Sequence, residues 1–581
     1  MAIGIGVISA YVALALLRLI GLFTNLFFYQ RWSFSDVSPA GSDLGLLIIL
    51  VPVVGGLIIG LMARYGSEKI RGHGIPEALE AILINGSRVE PRVALLKPVS
   101  SAISIGSGGP FGAEGPIILT GGAVGSVLAQ FLRLTSAERR TLLVAGAAGG
   151  MAATFAAPVA ATLLAVELLL FEWKPRSLIP VALAAATAAG ARHYLIGAGP
   201  LFPVPPHPDF VGPAGLLGCV LLGLLAGGLS TLLTAAVYAA EDAFHRLPIH
   251  WMWWPAIGGV IVGIGGLIFP EALGVGYDVI GDLLQGNAAT TIILGVLLVK
   301  SVIWAVALGS GTSGGVLAPL LMMGAALGAM FGNILPDEGA GFWPLVGMGA
   351  ILGGTMRAPL TGIVFSLELT HDINMLMPLL VGAFVADGFT VLVLRRSILT
   401  EKVARRGYHL SREYSVDPLE ILFVREVMRT NIAALPATMT PQDLAQRLHS
   451  QRDNRGQRLY PVVDSDNHLL GVATRGDVRR LIDDQSNGDA TQGLADLIRA
   501  EPVVAYADEP LRSVAHRMAE TGLTRFPVVE RGSERRLAGM VSLSDLLKGR
   551  SMNLEAERRR ERVLRLRLGF PRRSQQTAGS T

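Results

Sequence analysis

The chain has 581 residues, 51% of them hydrophobic and 16% charged, with a formal net charge of +4 and a mean hydropathy of +0.50. Soluble domains carry about 25% charged residues, so this composition excludes an ordinary soluble globular protein and points to one solvated by lipid. The 70 glycines agree, because small residues let membrane helices approach closely, and the single cysteine, Cys219, excludes an intramolecular disulfide framework and a cysteine-cluster metal site.

In chain order, the first apolar run, Ile3–Phe28, has no basic leader and no small-residue cleavage site, and is expected to be a retained membrane helix. Residues 1–395 hold about eleven apolar segments, the clearest being Leu46–Met62, Leu142–Phe171, Leu216–Ala239, Thr291–Leu308 and Met375–Leu394. A helix needs roughly 20 apolar residues to span the hydrocarbon core. Several segments are shorter or are cut by Gly and Pro, as at Gly106–Pro116 and Gly309–Pro319. Non-helical backbone at membrane depth must be buried in protein or line a polar cavity, so these interruptions mark a candidate binding site. Basic residues crowd Arg64–Arg71, Lys174–Arg176 and the C-terminal third, which places those segments in the cytoplasm by the positive-inside tendency.

The membrane part repeats itself. Gly106-Ser107-Gly108 leading to Pro116 recurs as Gly309-Ser310-Gly311 leading to Pro319, a displacement of 203. Gly72-His73-Gly74 and Gly86 line up with Gly274-Val275-Gly276 and Gly286, and Ala157-Pro158 with Glu167 lines up with Ala358-Pro359 and Glu368. Paired interrupted segments in two halves predict an inverted-repeat transporter whose site lies between the halves.

After Arg395 charge becomes dense, and a second repeat appears. Tyr460–Val463 followed by Leu470–Asp477 recurs as Phe526–Val529 followed by Ala538–Asp545. Each copy reads strand, turn, strand, helix, which predicts a soluble α/β domain over 421–549. The tail 550–581 is arginine-rich; it is read as a solvated, partly helical extension, or as a segment attracted to anionic lipid.

Three motifs carry the chemistry: Gly72-His73-Gly74-Ile75-Pro76, Gly112-Ala113-Glu114-Gly115-Pro116 and Gly315-Val316-Leu317-Ala318-Pro319. Glycine permits tight or left-handed backbone, and proline suits the first turn of a helix, so each motif is expected to start one. Helix N-termini present unpaired N–H donors and partial positive charge. Aimed at one point in the membrane, they bind an anion without a full positive charge, which also lets the anion leave again. Glu114 stands at the second start. It is either a stabilising first-turn acid or a group that occupies the anion's own position and opens the path when protonated or displaced.

Together, in this order, the three motifs resemble the signature of the CLC family of chloride channels and proton/chloride antiporters, over about residues 1–408. The soluble repeat resembles a pair of CBS domains, at 421–482 and 494–549. The resemblance implies an all-α polytopic membrane domain with an inverted repeat, followed by an α/β CBS pair. It also implies a homodimer in a cell inner or plasma membrane, with the CBS pair cytoplasmic and one anion pathway per subunit. Carried over by position, Glu114 matches the gating glutamate, and the N–H groups of Val316 and Leu317 match anion donors. Gly72, His73, Gly74, Ile75, Gly112 and Gly115 complete the expected anion-binding set. Thr474 with Asp477, and Ser542 with Asp545, match positions where CBS pairs hold adenine nucleotides; the same residues can simply cap their helices.

Three positions depart from the family pattern. His73 replaces a serine whose hydroxyl helps hold the anion; its imidazole either donates to the anion or points away. Leu399 stands where a tyrosine ligand is expected, and Tyr408 is nine residues further on. Leu168 follows Glu167 where antiporters carry a proton-passing glutamate; Glu167 is read as a helix-end acid, like its repeat partner Glu368, or as a proton relay. The expectation is a chloride pathway gated by Glu114 that is passive and regulated by the CBS pair, with a proton-coupled chloride antiporter as the alternative. A CBS-regulated divalent-cation transporter is disfavoured by the lack of an acidic cluster in the membrane segments. No enzymatic activity, required cofactor, metal or nucleic-acid partner is expected.

Overall fold

The computed structural model describes residues 1–563 apart from 84–86, 133, 208–209, 406–418, 420–421, 451–456, 487–493, 495–497 and 533–534. Gly86, Tyr408 and the end of the basic tail, 564–581, lie outside the described residues. The chain divides into two units, Met1–Glu413 and Tyr414–Thr581.

The first unit is helical. Among the described residues six helices are long and apolar enough to cross a membrane: Ala2–Tyr29, Gly45–Tyr65, Pro213–His245, Trp251–Ile268, Thr290–Gly309 and Ile373–Arg405. Shorter apolar helices, including Leu317–Gly332 and Phe342–Met356, are buried among them. The run Leu142–Phe171 is not one helix. It breaks at Ala156, which is left-handed at φ 57°, before Pro158 starts a new helix. The second half breaks the same way at Arg357, φ 56°, before Pro359. Proline cannot continue a helix without clashing with the preceding turn, so the repeated Ala-Pro fixes both breaks.

The repeat also governs packing. Helices Glu114–Gln130 and Ser136–Phe155 meet at Gly121 and Gly146, where an added Cβ would lie 2.3 and 2.1 Å from the other glycine's carbonyl oxygen. Helices Leu317–Gly332 and Phe342–Met356 meet in the same manner at Gly324 and Gly347, at 2.5 and 2.2 Å. Lipid tails are as apolar as the side chains, so close backbone packing rather than hydrophobic burial must hold such pairs together.

The second unit contains two small mixed sheets with matching register. Leu459–Val463 runs antiparallel to Leu469–Thr474, pairing Leu459 with Thr474, and Arg525–Val529 pairs with Leu537–Ser542 from Arg525 and Ser542 onward. Each sheet adds a two-residue parallel strand that periodicity is too short to reveal, Leu435–Pro436 in one and Ala505–Tyr506 in the other. Each hairpin then runs into a helix, Arg475–Ser486 or Leu543–Val563.

Gly324→Ala is expected to cost about 1–3 kcal/mol through overpacking, read as a lowered melting temperature in detergent. Gly228→Ala, at a helical glycine with nothing within 4 Å of the added Cβ, should leave the melting temperature unchanged or raise it.

Candidate functional site

The three glycine motifs come together through their own backbones. Gly112 and Gly315 exchange both hydrogen bonds, N–H to O at 3.2 and 2.9 Å, as an antiparallel bridge. Gly72 N–H donates to Thr312 O at 3.3 Å, and Gly314 N–H donates to Gly72 O at 3.4 Å. Only glycine fits this crossing: a Cβ on Gly115 would lie 1.7 Å from His73 O, and one on Gly74 would lie 2.1 Å from Gly115 O. Gly72 and Gly74 also hold φ near +91° and +92°, a region other residues avoid.

From this knot the motifs start helices Ile75–Leu83, Glu114–Gln130 and Leu317–Gly332. Glu114 is fully buried. Its Oε1 accepts from Ala318 N–H at 3.0 Å, on the first turn of the third helix, and its buried Oε2 has no partner. Among the described residues neither Val316 N–H nor Leu317 N–H donates to a protein acceptor. The carboxylate therefore sits at a helix N-terminus with two further donors beside it, in a position that suits a small anion.

His73 is buried, with Nδ1 unpartnered. It lines a cavity of about 1010 Å³ together with Glu77, Tyr238, Lys402 and Arg405. Leu399 is fully buried in helix Ile398–Arg405. A hydroxyl does lie near the start of that helix: Tyr238 Oη donates to Ile398 O. It comes from helix Pro213–His245, a location that motif spacing does not reveal.

Sequence reasoning also missed the charged frame of the site. Glu77 Oε2 accepts from Gly74 N–H at 2.7 Å, and Oε1 pairs with Lys402 Nζ at 2.6 Å. Lys97, fully buried, donates to Ile70 O and Gly72 O at 2.8 and 2.7 Å. Lys300, also fully buried, donates to Gly274 O and Val275 O at 3.1 and 3.3 Å. The two lysines are displaced by 203 positions, the repeat's own displacement, and each ties down the glycine loop of its half. An ionisable residue in an apolar run was the signal that could have found them.

Glu167 and Glu368 reach across the repeat. Glu167 Oε2 accepts from Thr361 N–H and Oγ1 at 2.9 and 2.6 Å, while Glu368 accepts from Val159 and Ala160 N–H at 3.0 and 2.8 Å. Each carboxylate caps the helix start of the other half.

In the second unit, Asp477 accepts from Thr474 N–H and Oγ1 at 2.9 and 2.6 Å, and Asp545 accepts from Ser542 N–H and Oγ at 3.0 and 2.5 Å. Both pairs sit where a strand turns into a helix, and Arg429 holds the other oxygen of Asp545 at 2.8 and 3.0 Å.

Residues 55–390 match the family model described as voltage gated chloride channel, and residues 424–484 and 494–551 match the CBS domain model. The chain is 34% identical over 365 residues to a putative chloride channel protein ClcB-like of Ralstonia nicotianae, covering 59% of this chain and 84% of that protein. It is 32% identical over 343 residues to the H(+)/Cl(-) exchange transporter ClcA of Yersinia pestis, covering 55% and 70%. A slow cyanobacterial Cl-/H+ antiporter superposes with a TM-score of 0.62 at 22% identity, over 70% of this chain and 96% of that one.

Lys402→Met leaves Glu77 buried without its cation, and should cost about 3–5 kcal/mol. Adding Glu77→Gln should recover part of that loss; a double-mutant cycle on thermal stability in detergent checks both.

Proposed function

The chain belongs to the voltage gated chloride channel family, and on that premise we propose a chloride pathway gated by Glu114 in a multi-pass membrane unit, passive in mechanism, with the CBS pair as its cytoplasmic regulator. The observation that carries the gate is the Glu114 carboxylate on Ala318 N–H. An anion seated at that helix N-terminus needs the same donor and its unpartnered neighbours, so carboxylate and chloride compete for one place. Protonation removes the competing charge, and frees the N–H groups for the anion. Gly72, Gly74, Ile75, Gly112 and Gly115 shape the knot that holds these donors, and His73 faces the approach from the larger cavity.

Leu168, beside Glu167, supports the passive reading, since an apolar side chain there carries no proton. The antiporter reading draws on the exchange transporter and the antiporter that the chain resembles; in it Glu167 is the proton relay. Two copies of the chain, each with its own pathway, complete the proposal. The CBS pair is proposed to take an adenine nucleotide beside Thr474, Asp477, Ser542 and Asp545. Titration calorimetry of the full chain with ATP should show saturable heat, and a flat response rejects nucleotide binding.

In liposomes the native protein should pass chloride, faster as pH falls, with no proton movement against a gradient. Glu114→Gln should raise the flux at neutral pH and abolish its pH dependence. Uphill proton movement driven by chloride would establish the antiporter, and unaltered flux and pH response in Glu114→Gln would remove the gate assignment.

A further inference from the structure

One pair of buried titratable groups lies apart from the three glycine motifs and ties together three segments of the first unit. His207 stands in the connection between helices Pro175–Leu195 and Pro213–His245. Asp372 comes just before helix Leu376–Val393, and Ala340 lies two residues before helix Phe342–Met356. The side chains of His207 and Asp372 are 2% and 8% exposed. His207 Nδ1 meets Asp372 Oδ2 at 2.6 Å, and its Nε2 meets Ala340 O at 3.1 Å. The backbone closes the same junction: His207 N–H donates to Asp372 Oδ2 at 3.2 Å, Asn374 N–H to Asp372 Oδ1 at 3.1 Å, and Asn374 Nδ2 to His207 O at 2.8 Å. Phe342 lies edge-on to the imidazole, with ring centroids 5.8 Å apart.

The partners dictate where the protons are. A backbone carbonyl only accepts, so Nε2 must carry a proton to bond Ala340. The other bonds on Asp372 come from backbone N–H groups, as suits an ionised carboxylate, which also only accepts. Nδ1 therefore needs a proton too. A neutral imidazole has one N–H and satisfies one side; the imidazolium has two and satisfies both.

We infer that His207 is a proton-operated clasp, closed when its ring is doubly protonated and open at Ala340 when one proton leaves. The ring that remains keeps its N–H for the carboxylate and turns a lone pair toward Ala340 O, so the bond to the start of helix Phe342–Met356 is the one that is lost. Histidine changes charge between about pH 5 and 8. Closure needs the proton, so the clasp holds in acid and opens as pH rises. Asp372 is the one carboxylate at ion-pair distance from His207 among the described residues. Asp282, Asp337 and His371 on the neighbouring segments are exposed, and Glu338 is turned to Gly215.

The span Ile373–Arg405 begins beside Asp372, and its far end leads to the C-terminal unit. With that unit cytoplasmic, as proposed, the clasp lies at the outer face and responds to a proton other than that of Glu114. The helix it holds, Phe342–Met356, packs at Gly347 on Gly324 of helix Leu317–Gly332, whose first turn binds the Glu114 carboxylate. The protonation of the clasp does not depend on the transport reading.

Backbone hydrogen exchange of the full chain in detergent, corrected for the intrinsic effect of pH on exchange, tests the clasp. The Leu345 amide, bonded to Gly341 O at 3.0 Å in the first turn of the held helix, should lose about tenfold in protection from about pH 5 to about pH 8. Helix Ser136–Phe155 should keep its protection throughout. His207→Gln should remove the pH dependence at Leu345. Protection there that is flat across the range in the native protein, or that falls equally in His207→Gln, would overturn the clasp. Nitrogen NMR of the native protein with isotope-labelled histidine needs no variant. Among the ten histidines, a ring with both nitrogens protonated and slow to exchange at neutral pH supports the clasp, and the absence of such a ring overturns it.

Discussion

Everything in the membrane unit depends on a backbone-to-backbone knot, in which Gly112 and Gly315 pair with each other while Gly72 pairs with the segment Thr312–Gly314. These peptide groups have no water to fall back on, and an unmatched one in hydrocarbon is costly. Closing the knot satisfies them and brings three helix N-termini within reach of one another. The glycines follow from that closeness. Two carboxylates reach these helix starts, Glu114 accepting from Ala318 N–H and Glu77 from Gly74 N–H.

Around the knot stands a ring of charge that composition alone would not predict. Lys97 and Lys300 hold carbonyls of the two loops, and Glu77 holds Gly74 N–H while paired with Lys402. The two buried lysines spend these hydrogen bonds on loop carbonyls, while Glu77 divides its own between Gly74 N–H and Lys402. The lysines thereby turn the carbonyl oxygens of both glycine loops toward themselves.

The motifs, the repeat and the α/β character of the C-terminal unit were legible because glycine and proline act locally, on φ and on the missing N–H. The break at Ala156 was less visible, since the apolar run Leu142–Phe171 continues through it and only Pro158 marks it. Lys97 and Lys300 were less legible, because they belong to none of the three motifs and meet their glycine loops only once each half has folded. Tyr238 is a similar case: its hydroxyl reaches the start of helix Ile398–Arg405 from helix Pro213–His245, which motif spacing does not reveal.

The exchanged caps at Glu167 and Glu368 bear on how the protein is made. The start of helix Pro158–Leu164 awaits Glu368, more than 200 residues downstream. During synthesis that turn must therefore sit in the membrane with open N–H groups, or remain unformed, until nearly all of the first unit has left the ribosome. Contacts of such long sequence separation form slowly. The first half alone is consequently not a finished object but a waiting one, and a chain cut between the halves should be cleared by quality control rather than persist as half a transporter.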